Sequence, residues 1–110
     1  METFVKGDVV VLPFPFSDLS DVKRRPALVA ATLEGDECIL CQITSRMRSD
    51  KYSISLTDEE FQSGSLKATS RIRPNRMFSA DESVIRYKIG SLKQDKVKEV
   101  EERIIDMFKE

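Results

Sequence analysis

The sequence predicts a mainly β fold closed by one C-terminal helix, arranged as a small, strongly bent sheet or open barrel. Three observations carry this expectation. Short apolar runs separated by turn-forming residues recur from residue 9 to residue 92. Helical periodicity is concentrated at the C-terminal end, where Val97, Val100, Ile104 and Phe108 recur at helical spacing and form a stripe to be buried. The 110 residues suffice for one compact domain, 1–110, and are too few for two.

The elements follow in order. Gly7 and Asp8 open a first strand of Val9, Val10, Val11 and Leu12, continuous in apolar residues. Pro13 and Pro15 cannot donate backbone hydrogen bonds, so the far end of this strand must be an edge or a bulge. The prolines are expected to stop further pairing and free residues 17–25 as a polar lid-like loop. Pro26 then forces Arg25 into an extended conformation. "PALVAATL" (26–33) and "CILCQIT" (38–44) read as an antiparallel hairpin joined by "EGDE". "SRMRSDK" is a basic loop leading to a short strand at 52–56, and "TDEEF" is one helical turn, with Thr57 and Glu60 at capping-box spacing. "QSGS" turns the chain. "SRIRPNRMFS" is a charged strand or strand–loop with Pro74 inside it, and "VIRYKIGSL" is the last strand. The total is five or six strands. Ser91 is the expected cap of a helix over 93–108, with Gln94 three residues on.

Composition narrows the chemistry. There is no histidine, which excludes His-based acid–base catalysis and most catalytic zinc sites. Cys38 and Cys41 have CxxC spacing, yet no second cysteine pair or histidine could complete a zinc site, and strand residues three apart point to opposite faces. They read as structural. A net charge of -1 announces no global basic field, but Arg46, Arg48, Lys51, Lys67, Arg71, Arg73 and Arg76 crowd the middle of the chain while the stretch from Lys93 leans acidic. A basic groove can hide in that balance. No run of about 18 apolar residues suggests a membrane span, and the first residues lack the apolar core of a signal peptide, so a cytoplasmic location is expected.

Five pieces in order resemble one family. "GDVVVLPFPFSD", "RRPALVA", "CQITS", "IRPNRMFS" and "IGSL" plus helix are similar to successive segments of the PemK/MazF-like toxins of type II toxin–antitoxin systems. The resemblance implies an SH3-like open β-barrel with a C-terminal helix, a homodimer, and cleavage of single-stranded RNA without metal or other cofactor. It also implies a cognate antitoxin whose disordered tail blocks the groove. Position by position, it assigns Arg25 and Thr44 to the scissile phosphate and Arg73 to a second arginine position on the late strand. Two positions after Arg73, one branch of the family has an aspartate proposed as base. Here it is Asn75, which cannot take a proton.

RNA carries its own nucleophile: the 2'-hydroxyl attacks the adjacent phosphorus, expelling the 5'-oxygen and leaving a 2',3'-cyclic phosphate. An enzyme must hold the in-line geometry, stabilise the non-bridging oxygens and manage two protons. The arginine fork matches a phosphate bidentately, which favours electrostatic stabilisation by Arg25 and Arg73. Asp18 is the candidate base, with Asp21, Glu34 and Asp36 as alternatives. The RNA-binding surface is expected to take in Phe16, Ser17, Arg24, Ser45, Arg46, Arg48, Asn75 and Arg76. Bland readings stand beside these: Arg73 paired structurally with Asp81 or Glu82, Thr44 as an ordinary strand threonine, Phe14 and Phe16 packing inward rather than stacking bases. Two rival functions are a gyrase-type poison acting by protein binding and a catalytically silent RNA- or protein-binding barrel.

Overall fold

The computed structural model describes residues 3–14, 23–46 and 50–110. Seven strands form one antiparallel sheet in the order β4-β6-β3-β2-β1-β7-β5. They are β1 (Asp8–Phe14), β2 (Lys23–Thr32), β3 (Glu37–Thr44), β4 (Ile54–Leu56), β5 (Phe61–Gly64), β6 (Ser70–Asp81) and β7 (Tyr87–Leu92), followed by helix α1 (Gln94–Phe108).

The chain's connectivity bends this sheet. β4 and β5 occupy its two edges, yet they are consecutive, joined only by Thr57 and the 3₁₀ turn Asp58–Glu60. Laid flat, edges six strand spacings apart would lie about 29 Å from each other. The five steps from Leu56 to Phe61 span at most about 18 Å. The sheet therefore curls into a half-barrel, and the molecule is nearly isometric at 31 × 31 × 29 Å.

Each face of the curled sheet carries its own apolar cluster. Val9, Leu28, Cys41, Ile43, Ile54, Ile72 and Leu92 pack with Val97 and Val100 of α1 on one face. Val10, Leu12, Phe14, Ala27, Val29, Cys38 and Leu40 pack with Phe4 and Ile85 on the other. Strand alternation explains the split, since neighbouring residues send side chains to opposite faces. It also explains the cysteines: both are buried and free, one in each cluster. Burial pushes the Cys41 thiol up to about 12. Cys38 is raised too, by burial and then by the nearby Glu82 and Asp81 carboxylates.

Several expectations need correcting. β1 does not stop at Pro13. Its ladder with β2 continues through Pro13↔Arg24 to Phe14↔Lys23, so Lys23, Arg24 and Arg25 are strand residues and not loop. Proline is tolerated because β7 pairs with β1 only as far as Val11, leaving the strand beyond with a neighbour on one side. The remainder of the expected lid, residues 17–22, lies outside the described residues. The seventh strand, β5, was unexpected: "FQSG" has no apolar alternation and is recruited by β7. The last strand begins at Tyr87 rather than Val84, because Glu82–Val84 is a 3₁₀ turn capped by Asp81, whose carboxylate accepts the Ser83 N–H at 2.9 Å. Ser91 does not cap α1. It is paired within the sheet with Asp8, and its hydroxyl meets that of Ser63 at 3.0 Å, so Lys93 takes the cap position. Val97 and Val100 are buried and Ile104 packs against them, but Phe108 is 72% exposed and lies outside the buried stripe. At Thr57 the expected reciprocal contact is present, Glu60 accepting the Thr57 N–H at 2.6 Å.

Candidate active site

Register places the candidate side chains before any side-chain contact is considered. Arg71 pairs with Thr44 and Arg73 with Gln42 across β3 and β6. Gln42 pairs in turn with Ala27 of β2, so two residues further along the register brings Arg25 level with Thr44. Residues directly opposite in an antiparallel sheet share a face. Arg25, Thr44 and Arg71 thus form one row across three strands, with Gln42 and Arg73 in the next, all on the face opposite α1. Arg24 alternates to the other face and is exposed.

The row continues into a small basic cavity of about 140 Å3, lined by Thr44, Arg46, Ser53, Arg71, Arg73 and Arg76. Pro74 shapes its rim. Between the pairs Gln42↔Arg73 and Cys41↔Met77, three residues of β6 lie opposite no partner. Without an N–H, Pro74 cannot serve a ladder, so the strand bulges there; Pro74 is buried while Asn75 and Arg76 are exposed. Thr44 closes another side. Its Oγ1 accepts the Arg46 N–H at 3.1 Å, which turns the chain at the end of β3 and leaves the Thr44 hydroxyl proton as a donor. Ser45, in that turn, is exposed.

The arginines are held from behind by the segment 50–53. Arg71 Nε donates to Ser53 Oγ at 2.8 Å and Arg71 Nη2 to the Ser53 carbonyl at 3.2 Å. Arg73 Nη2 lies 3.8 Å from Asp50 Oδ2, so its ion-pair partner is Asp50 and neither Asp81 nor Glu82, the bland alternative, which sit at the far end of β6. Asp50 Oδ1 accepts the N–H groups of Tyr52 and Ser53, both at 2.8 Å. Those two bonds, with the Arg73 and Arg71 charges as smaller causes, hold its carboxyl below the usual range. The helix backs this segment: Arg103 Nη1 donates to the carbonyls of Lys51 and Tyr52 at 3.0 and 3.1 Å, and Glu110 accepts from Lys51 and from the Tyr52 hydroxyl.

Of the sequence-based candidates, Arg25, Thr44, Arg46, Arg73 and Arg76 are thus gathered at one end of the sheet. Phe14 is not a base-stacking platform: it is buried edge-to-face on Phe78, with ring centroids 5.1 Å apart. Glu34 and Asp36 lie in the hairpin turn, at the opposite end of β3 from Thr44. Asp18, Asp21, Phe16, Ser17 and Arg48 lie outside the described residues. Sequence reasoning missed Arg71, Ser53 and Asp50 as site residues. Arg71 had a legible signal, since it alternates with Arg73 on one strand; Asp50 and Ser53 had none.

Comparison with known proteins agrees with this architecture. The sequence profile of the PemK-like, MazF-like toxins of type II toxin–antitoxin systems matches residues 5–108, and the chain belongs to that family. Solved structures share the fold at low identity. MazF from Deinococcus radiodurans superposes with a TM-score of 0.79 at 20% identity, covering 100% of both chains. A mycobacterial endoribonuclease in complex with its cognate antitoxin gives 0.76 at 7% identity, over 96% of this chain and 95% of that one. Mycobacterium tuberculosis toxin MazF-mt6 gives 0.73 at 14%, over 93% and 96%. No curated protein sequence matches significantly.

Proposed function

We propose that this chain is the toxin of a toxin–antitoxin pair and acts as a metal-independent endoribonuclease on single-stranded RNA. The observation that carries the reading is the gathering of Arg25, Thr44, Arg71, Arg73, Arg46 and Arg76 at one end of one sheet face in a chain of net charge -1. Such a concentration of guanidinium groups around a cavity of about 140 Å3 fits a phosphodiester better than a neutral ligand.

In this mechanism the scissile phosphate rests against Arg25 and Arg73, with the Thr44 hydroxyl donating to a non-bridging oxygen. The 2'-hydroxyl attacks phosphorus in line, negative charge grows on the non-bridging oxygens, and the arginines meet that growth with preorganised donors. The P–O5' bond breaks and the leaving oxygen takes a proton from solvent water, giving a 2',3'-cyclic phosphate and a 5'-hydroxyl end. The arginines act as electrostatic stabilisers, since a guanidinium with pKa above about 12 is a poor acid. Asp18 remains the proposed base. Arg24, Ser45, Asn75, Arg48, Phe16 and Ser17 are proposed to contact RNA beyond the scissile phosphate. A cognate antitoxin and a second copy of the chain are the proposed protein partners.

Purified protein incubated with mixed-sequence RNA in EDTA, with the product ends identified chemically, tests the reading. Cyclic phosphate and 5'-hydroxyl ends, made by wild type and reduced about a hundred- to thousandfold in Arg25→Ala, are expected. Binding of RNA without cleavage would overturn the enzyme reading in favour of a silent binder.

A further inference from the structure

We propose that Asp50 is a positioning residue for Arg73: its carboxylate, anchored on the main chain of Tyr52 and Ser53, sets the guanidinium that faces the cavity. This rests on the nuclease reading for its kinetic consequence but not for its structural one.

Three features support it. The first is distance. At 3.8 Å the Asp50–Arg73 contact is an ion pair and not a hydrogen bond, so it attracts the guanidinium without occupying a donor that a phosphate would use. The second is anchoring. Two 2.8 Å bonds from backbone N–H groups hold one carboxylate oxygen, leaving the other to face Arg73. An exposed aspartate without such bonds would lose its orientation to rotamer freedom. The third is continuity. The same segment holds Arg71 through Ser53, and Arg103 of α1 holds the segment's carbonyls. Two like charges, Arg71 and Arg73, project from alternate positions of one strand, and the Asp50 carboxylate is near enough to feel both, Arg73 more strongly.

Asp50 is not the missing base. A carboxylate already satisfied by two N–H groups and facing two guanidinium groups is a weakened proton acceptor. Its effect on the reaction passes through Arg73.

The test is Asp50→Asn, whose amide oxygen can still accept both N–H bonds, so that the turn keeps its anchor while the charge facing Arg73 is lost. Single-turnover cleavage by the full chain is expected to slow about ten- to hundredfold with KM changed less than about twofold. In an Arg73→Ala background the same substitution is expected to add nothing, because the group it acts through is gone. An activity-independent arm follows the arginine Nε–H signals by NMR: Asp50→Asn shifts or broadens the Arg73 signal and leaves Arg71 in place, whereas Ser53→Ala does the reverse. Full additivity in the Arg73→Ala background, or wild-type cleavage with an unmoved Arg73 signal, overturns the proposal. If wild type cleaves no RNA, the nuclease reading fails on its own and the NMR arm alone decides this one.

Discussion

Arg71 donates twice to one residue, Ser53, through Nε to the hydroxyl at 2.8 Å and through Nη2 to the carbonyl at 3.2 Å. Two of the five guanidinium N–H donors are therefore spent on the protein, and the arginine also lines the basic cavity. A lysine could not divide its donors in this way, because a point ammonium lacks the planar fork.

RNA binding should register that geometry. Arg71→Ala is expected to weaken affinity for single-stranded RNA of any sequence and to reduce the slope of log affinity against log salt by about 0.7, the share of one phosphate contact. Titrations of a fluorescent RNA at a series of salt concentrations would show it. An unchanged slope places Arg71 outside the RNA path.

The tether between α1 and residues 50–53 makes a second prediction. Arg103 bridges two carbonyls of that segment, so Arg103→Ala should cost about 1–2 kcal/mol of stability and speed amide exchange there. Denaturant melts and hydrogen exchange test both parts. Exchange enhanced elsewhere but not at residues 50–53 would contradict the assignment.

Glycine tolerance separates space from backbone strain. Gly64 has φ +77 and a Cβ there would lie 2.2 Å from the Ile89 carbonyl oxygen, whereas Gly35, at φ +72, has open space around it. Gly64→Ala combines strain with a backbone clash and should cost about 3 kcal/mol or more. Gly35→Ala carries the strain alone, about 1 kcal/mol. Equal losses of Tm in the two variants would refute the close β5–β7 approach.

Cys41 predicts an alkaline weakness. Its thiol is pushed from the ordinary 9.0 to about 12 by burial, so the folded state keeps a proton that the unfolded chain releases. Stability is then unaffected below about pH 9 and falls as pH rises beyond it, because the unfolded state binds fewer protons. Cys41→Ala should flatten part of that decline in urea melts at rising pH. An identical slope in both proteins would mean that the thiolate is not what the fold excludes.

Much of the fold was legible because its signals are local. The apolar run from Val9, the hairpin around "EGDE" and the helical spacing of Val97, Val100 and Ile104 each state their own element. β5 was not legible, since Gln62 and Ser63 carry no strand pattern and become one only beside β7. Within the site, Arg25, Thr44 and Arg73 came from motif resemblance, and the register then put them on one face in adjacent rows. Asp50 could not be read at all: an aspartate in a basic stretch looks like any turn residue until residues 50–53 meet Arg71 and Arg73 of β6.

The sequence by itself determined the periodicities, and through them which residues could face a core and where the chain had to turn. Alternation along β3 and β6 already decided that Thr44 and Gln42 share a face, and that Arg71 and Arg73 do too. The tertiary structure decided how these faces meet. The short link from β4 to β5 forces the sheet to curl, the Pro74 bulge shifts one strand against its neighbour, and Arg103 of α1 holds the carbonyls next to the residue that binds Arg71. Those outcomes depend on contacts between residues far apart in the chain, such as Tyr52 and Arg103, separated by 51 in sequence. No local pattern encodes such a contact, because its energy exists only once both partners are already in place.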